Sequence, residues 1–261
     1  MAPDDLSTTL LILLGIGSFV AGLVDAVVGG GGLVQIPMLF AAFPGASPAV
    51  LFGTNKLASV VGTSSAAIQY ARRIPVPWAL ALPSASAALI GSWFGARSVS
   101  HFSPELVRPL VLILLVAVAI YTFIRKDFGK IARPSTHTHR IQITISCVIG
   151  ASIGFYDGFF GPGTGSFLIF LFIRFLGQDF LQASVTAKIV NVATNLAAIA
   201  FFVGHGSVLW LAAGIMATCN LAGALFGARL AVRHGTGFVR KLFLVVVCAL
   251  ILKLAYDTLA P

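Results

Sequence analysis

The chain has 261 residues, of which 58% are hydrophobic and 10% charged, against about a quarter charged in an ordinary soluble domain. A soluble helical protein with so little polar surface would aggregate, so that class is excluded. The formal charge of +9 does not point to nucleic acid, because the basic residues collect in short loops between apolar segments, where they report orientation.

From the N-terminus, Asp4 and Asp5 stand where a signal peptide would carry basic residues, so the first apolar segment is read as a retained helix. A helix needs about 20 apolar residues to cross ~30 Å of hydrocarbon. Segments 8–28, 48–70, 76–96, 106–124, 141–160, 181–203, 208–230 and 238–256 have that length. Two shorter apolar pieces, 33–43 and 166–176, follow glycine-rich runs. At ~1.5 Å per residue each reaches about halfway across, so they are short helices completed by their flanks or arms of re-entrant hairpins. The fold expected is an all-α polytopic integral membrane protein with roughly 8–10 transmembrane segments. Cys147, Cys219 and Cys248 lie within apolar segments and match no metal spacing, so no cofactor is expected.

An internal repeat runs through the chain at an offset of 132 residues. Gly22 meets Gly154, Asp25 meets Asp157, Gly29 meets Gly161 and Gly31 meets Gly163. Thr54 and Lys56 meet Thr186 and Lys188, and Trp78 meets Trp210. Phe94, Gly95, Ala96 and Arg97 meet Phe226, Gly227, Ala228 and Arg229, and Arg108 meets Arg240. Apolar matches arise by chance in such a composition; Asp, Lys, Trp and two Arg at one offset do not. Residues 1–124 are therefore read as the first repeat, 125–140 as a basic cytoplasmic linker and 141–261 as the second repeat. His137 and His139 in the linker are read as solvated, since no further ligand lies nearby in sequence.

Loop charges set the relation of the two halves. Arg72 and Arg73 follow the second long span of repeat one, while the matching loop of repeat two, Gly204 to Ser207, has no Lys or Arg. The next loop shows the reverse, with Arg229, Arg233, Arg240 and Lys241 in repeat two against Arg97 and Arg108 in repeat one. Basic loops thus move to the other equivalent position, as an inverted repeat requires if all are cytoplasmic. The N-terminus, Lys253 and the C-terminus then fall outside. A parallel repeat of four spans is the alternative.

Charged residues deep in a membrane usually mark function. Lys56, the ninth residue of its span, lies ~12 Å in, and Lys188 matches it. Asp25 and Asp157 precede the glycine runs. Four consecutive glycines from Gly29 to Gly32, and Pro162 between Gly161 and Gly163, interrupt a helix at matched positions. Transporters place anions at such breaks, where freed amides and helix N-termini gather. Gly30, Gly31, Gly163 and Thr164 are candidate backbone contacts. Thr54, Asn55, Thr186, Asn191 and Asn195 share the spans of the two lysines, and Lys188, Asn191 and Asn195 form one helical stripe. Substrate binding is therefore assigned to these residues with Lys56 and Lys188, and ion coupling to Asp25 and Asp157. A carboxylate caught between desolvation and a neighbouring Lys can exchange a proton as access alternates. The competing structural reading is that Lys–Asp pairs fix helix register, that the glycines permit close packing, and that Arg97 and Arg229 merely snorkel.

The run Ala21-Gly22-Leu23-Val24-Asp25, the four glycines, Ile36-Pro37 and Gly53-Thr54-Asn55-Lys56 resemble the sulfite exporter TauE/SafE family. Gly154 to Gly165 with Thr186-Ala187-Lys188 is similar to that family's second-half signature. The resemblance implies a permease of the bacterial inner membrane for sulfite, sulfonates or related organosulfur anions. The partners expected are the lipid bilayer, that anion and, from the two aspartates, protons as coupling ion. The function expected is secondary transport, because no nucleotide-binding motif is present. A passive anion channel on the same repeat is the alternative. An embedded enzyme has no support, since the spans hold no catalytic His, Cys–His or Ser–Lys set. The inverted topology has a direct test: single cysteines replacing Ile131 and His205 should label from opposite faces of the membrane, and labelling from one face rejects it.

Overall fold

The computed structural model describes residues 7–99, 113 and 138–234. The expected spans 106–124 (Ile113 apart) and 238–256, and the linker up to residue 137, lie outside the described residues. So do Asp4, Asp5, Arg108, His137, Arg240, Lys241, Cys248 and Lys253.

Eight helices are described: α1 Thr8–Val28, α2 Gly32–Ala42, α3 Pro48–Ala71, α4 Trp78–Val99, α5 His139–Phe159, α6 Thr164–Leu176, α7 Phe180–Gly204 and α8 Trp210–His234. Among the described residues there is no strand. Local chemistry sets the ends. The Ser7 hydroxyl accepts the Leu10 amide at 3.2 Å and caps α1, and Asp179 does the same for α7 through Gln182 at 2.8 Å, each supplying a partner for an orphan amide. Pro48 opens α3, where its missing N–H costs nothing. Gly29, at φ +77°, closes α1 in the left-handed region that favours glycine. Thus both glycine-rich runs do break the helix, between Val28 and Gly32 and between Phe159 and Thr164.

α1, α4, α5, α7 and residues Trp210–Ala231 of α8 are each long and apolar enough to cross a membrane. α3 is equally long, with 24 residues, but carries the polar stripe around Lys56. The exposed side chains include Ile12, Ile16, Leu89, Ile90, Leu196 and Phe226, a lipid-facing surface.

Contacts fix helix directions. Leu14 packs with Leu51 and Ala58, and Val27 with Tyr70, so α1 and α3 run parallel. A Cβ on Gly31 would meet Ala21 and Asp25, and one on Gly17 would meet Met38, so α2 folds back along α1. This 11-residue helix with its flanking loops therefore carries the chain back between two parallel helices. Gly15 lies against Ile215 and Cys219, and Gly227 against Leu23, so α8 runs with α1. Gly150, Gly154 and Gly158 face Ser84, Ala88 and Ser92 in turn, so α4 and α5 are parallel. The Ser92 hydroxyl donates to the Thr194 carbonyl at 2.7 Å, and Trp93 stands edge-on to Phe201. Together with Leu80 beside Ala183, these contacts put α4 and α7 in one direction. α3 and α7 are antiparallel, with Gly53 beside Phe202 and Tyr70 beside Lys188.

α1, α3 and α8 therefore point one way and α4, α5 and α7 the other. α1, α3 and α4 each run opposite to their 132-offset counterparts α5, α7 and α8, which is consistent with an inverted repeat. The halves are interlocked: α4 of the first packs on α5 of the second, and α8 of the second on α1 of the first. Small residues let these backbones touch, the usual way helices associate where lipid supplies no hydrophobic drive. Gly22→Val and Gly154→Val place a side chain against the Asn220 and Ala88 backbones and should cost about 1–3 kcal/mol. Gly204→Ala, with nothing nearby, should leave the detergent melting temperature unchanged. Equal melting of all three variants would contradict this packing.

Candidate functional site

The two helix breaks meet each other. The Ser166 amide donates to the Gly29 carbonyl at 3.3 Å, and the Ser166 hydroxyl donates to the Val28 carbonyl at 2.7 Å. Any Cβ on Gly29 would strike the Gly165 backbone, and one on Gly165 would strike Gly29. Irregular backbone at membrane depth is tolerated where protein surrounds it, and here each break is walled by the other.

Lys56 reaches from α3 into the break of the opposite repeat. Its Nζ lies 2.7 Å from Asp157 Oδ2, with both side chains buried. A Cβ on Gly161 would stand 2.9 Å from that Nζ, so the glycine makes room for the ammonium. Asp157 Oδ1 accepts the Thr164 hydroxyl at 2.6 Å, which ties the carboxylate to the start of α6. The Tyr156 hydroxyl donates to the Pro162 carbonyl at 2.6 Å and braces the same turn.

Lys188 makes the reciprocal crossing but finds another partner. Its Nζ donates to the Asp25 backbone carbonyl at 2.9 Å and sits 5.2 Å from the Tyr70 ring centre, within cation–π range. That carbonyl also accepts the Gly29 amide at 2.9 Å, so Lys188 places a cation at the C-terminal end of α1. The Asp25 carboxylate accepts the Thr63 hydroxyl at 2.9 Å and the Gly31 amide at 3.4 Å.

Between these groups lies a small polar cavity. Asp25, Gly29, Gly32, Asn55, Lys56, Ser59, Thr63, Asp157, Gly161, Thr164, Asn191 and Asn195 line it. Of the expected binding residues it gathers Asn55, Lys56, Thr164, Asn191 and Asn195 with both aspartates. Gly30, Gly31, Gly163 and Lys188 are not among its lining residues. Nor are Thr54 and Thr186: the Thr54 hydroxyl donates to Val50 O and accepts the Leu209 amide, and Thr186 donates to Gln182 O. Asn191 Oδ1 accepts the Asn195 amide at 3.1 Å. Ser59 and Thr63 were missed in the sequence, although they are the 132-offset mates of Asn191 and Asn195. The Ser59 hydroxyl donates to Gln35 Oε1 at 2.9 Å. Among the described residues no group of three or more His, Cys, Asp or Glu side chains could hold a metal ion.

A family profile described as sulfite exporter TauE/SafE matches residues 14–254. A probable membrane transporter protein, ORF9, of Sinorhizobium sp is 34% identical over 259 residues, covering 99% of this chain and 97% of the relative. The probable membrane transporter protein YfcA of Escherichia coli K12 is 32% identical, with 95% and 91% covered. A probable membrane transporter protein of Haemophilus influenzae is 30% identical, with 97% of each covered. No solved structure matches the chain.

The buried ion pair gives a stability test. Lys56→Gln leaves Asp157 without its cation and should destabilise the protein by about 3–5 kcal/mol. The double change Lys56→Gln with Asp157→Asn should recover much of that loss in a detergent melt. A double variant no more stable than the single one contradicts the pairing.

Proposed function

This chain belongs to the sulfite exporter TauE/SafE family, a family of membrane transporters, and on that premise we propose that it is a secondary transporter of small sulfur-containing anions whose site is the cavity around Lys56. The protein is a multi-pass protein of the bacterial inner membrane. One observation carries the proposal: a buried lysine lines a polar cavity and is paired with a carboxylate from the other repeat. A buried charge costs several kcal/mol and marks a pathway more often than a brace.

An arriving oxyanion competes with Asp157 for the Lys56 ammonium. Asn191 and Asn195 bring amide groups to the same space, and Thr164 a hydroxyl. Lys188 adds positive charge from behind Asp25, where its Nζ holds the backbone carbonyl. As the anion takes Lys56, Asp157 loses its ion-pair partner, and this exchange of partners is the step proposed to link anion movement to the pH gradient. Asp25 is the corresponding carboxylate of the first repeat.

Uptake and efflux by proteoliposomes test this with sulfite, thiosulfate, sulfoacetate, taurine and sulfate at two pH gradients. Lys56→Gln should lower the rate at least about tenfold, and Lys188→Gln less, since its charge acts from farther away. Near-wild-type rates in Lys56→Gln with intact protein would make this lysine structural. Asp25→Asn and Asp157→Asn should retain anion binding and lose the response to the pH gradient; an unchanged response assigns both aspartates to the scaffold.

A further inference from the structure

A layer of phenylalanine rings lies between the cavity and one end of the bundle. On α3, Phe52 stands one turn from Asn55 and Lys56, toward the Pro48 end. Phe160 directly precedes Gly161 of the cavity wall, and its ring meets that of Phe52 edge-on at 6.2 Å. On α7, Phe202 lies beyond Asn195 on the way to the helix end, beside Gly53 of α3. All three rings are fully buried and belong to one apolar cluster. Their 132-offset mates are Ser184, Val28 and Tyr70, so the matching layer toward the other end keeps a single aromatic ring. Val27, Val28 and Val185 pack with Tyr70, whose buried hydroxyl has no hydrogen-bond partner among the described residues. Lys188 Nζ stands 5.2 Å from its ring centre, and Arg72 and Arg73 are exposed just beyond it.

We propose that these two layers are the gates of the cavity and that the Tyr70 gate yields first, so that anions reach Lys56 from the end carrying Arg72 and Arg73, by way of Lys188. The proposal rests on the cavity being the anion site. Three buried rings offer a hydrated anion no strong donor, and an apolar constriction of this kind holds ions back by dewetting. Tyr70 brings a hydroxyl and Lys188 an ammonium, so protein groups replace the water an anion sheds there. The Tyr70 layer is also the easier one to part. A buried hydroxyl left unpaired destabilises the closed arrangement, and it regains a partner when water or an anion enters. Opening the other layer exposes aromatic surface and breaks an edge-to-face pair with no polar group to gain from it. Exposed Arg140 and Arg233 share the Tyr70 end, since α5 starts where α3 and α8 finish, and their charge concentrates anions at that entrance.

Reaction of a cavity cysteine with 2-sulfonatoethyl methanethiosulfonate, an anionic thiol reagent that does not cross membranes, tests both gates. Ser59→Cys is placed in a background with Cys147, Cys219 and Cys248 replaced by alanine, and Arg73→Cys in the same background marks the face. Ser59→Cys should react at least about tenfold faster from the Arg73 face than from the opposite one. Adding Tyr70→Ala should raise the rate from the Arg73 face at least about tenfold more, whereas Tyr70→Phe, which keeps the ring, should not raise it. Phe202→Ala, which leaves two rings in its layer, should change the rate from the opposite face less than about threefold. Equal or faster reaction of Ser59→Cys from the opposite face overturns the proposal. So does Tyr70→Ala without effect, or Phe202→Ala opening its face as far as Tyr70→Ala opens the other. The Ser59→Cys rates alone decide if Tyr70→Ala does not fold. Gates that behave as expected in a protein that moves no sulfur anion in proteoliposomes would stand, and the transport reading beneath them would be rejected.

Discussion

Everything around the site depends on one ion pair made across the two halves. Lys56 cannot leave its ammonium unpaired in hydrocarbon, and within its own helix there is no carboxylate to meet it. Asp157 supplies one from the other repeat at 2.7 Å. That contact requires α3 to lie against the α5–α6 break, and the break requires Gly161 to carry no side chain. A buried pair of this kind is weak evidence for stability, since hydrophobic replacements are often as stable. On the proposed function, its place beside a polar cavity follows from what the lysine releases and takes up.

The repeats are alike in sequence and yet unlike at the site, and the cause lies in a few side chains. Thr164 hydrogen-bonds Asp157 and holds its carboxylate at the break. Its mate in the first repeat is Gly32, which has no hydroxyl, so Asp25 takes the Thr63 hydroxyl instead. The mate of Thr63 is Asn195, which bonds Asn191. The two lysines, equivalent by position, therefore meet a carboxylate in one case and a helix-end carbonyl in the other. One half of a near-symmetric scaffold thus presents an ion-paired ammonium to the cavity, and in the other the ammonium meets a helix terminus. Such unequal halves are a reasonable starting point for movement of one repeat against the other.

Much of this was legible before any coordinates. Apolar length marked every described long helix to within a few residues, because a bilayer imposes span length so strictly. The glycine runs marked the breaks, and the 132-residue offset paired their parts. What the sequence could not carry was which lysine meets which aspartate group: that depends on the crossing of helices far apart in the chain. Thr54 and Thr186 looked like site residues because they lie close to lysines, but two positions along a helix turn a side chain by about 200°, away from the cavity. Ser59 and Thr63 were overlooked because a lone hydroxyl in an apolar span carries little signal, although the offset from Asn191 and Asn195 pointed to both.

The most direct test of the account is a structure determined with a small sulfur oxyanion bound. The anion should lie against Lys56 Nζ within hydrogen-bonding distance, between α3 and the α5–α6 break, with the Lys56–Asp157 separation opened from 2.7 Å to beyond ion-pair range. An anion held elsewhere, or one bound while that ion pair stays closed, would contradict the account.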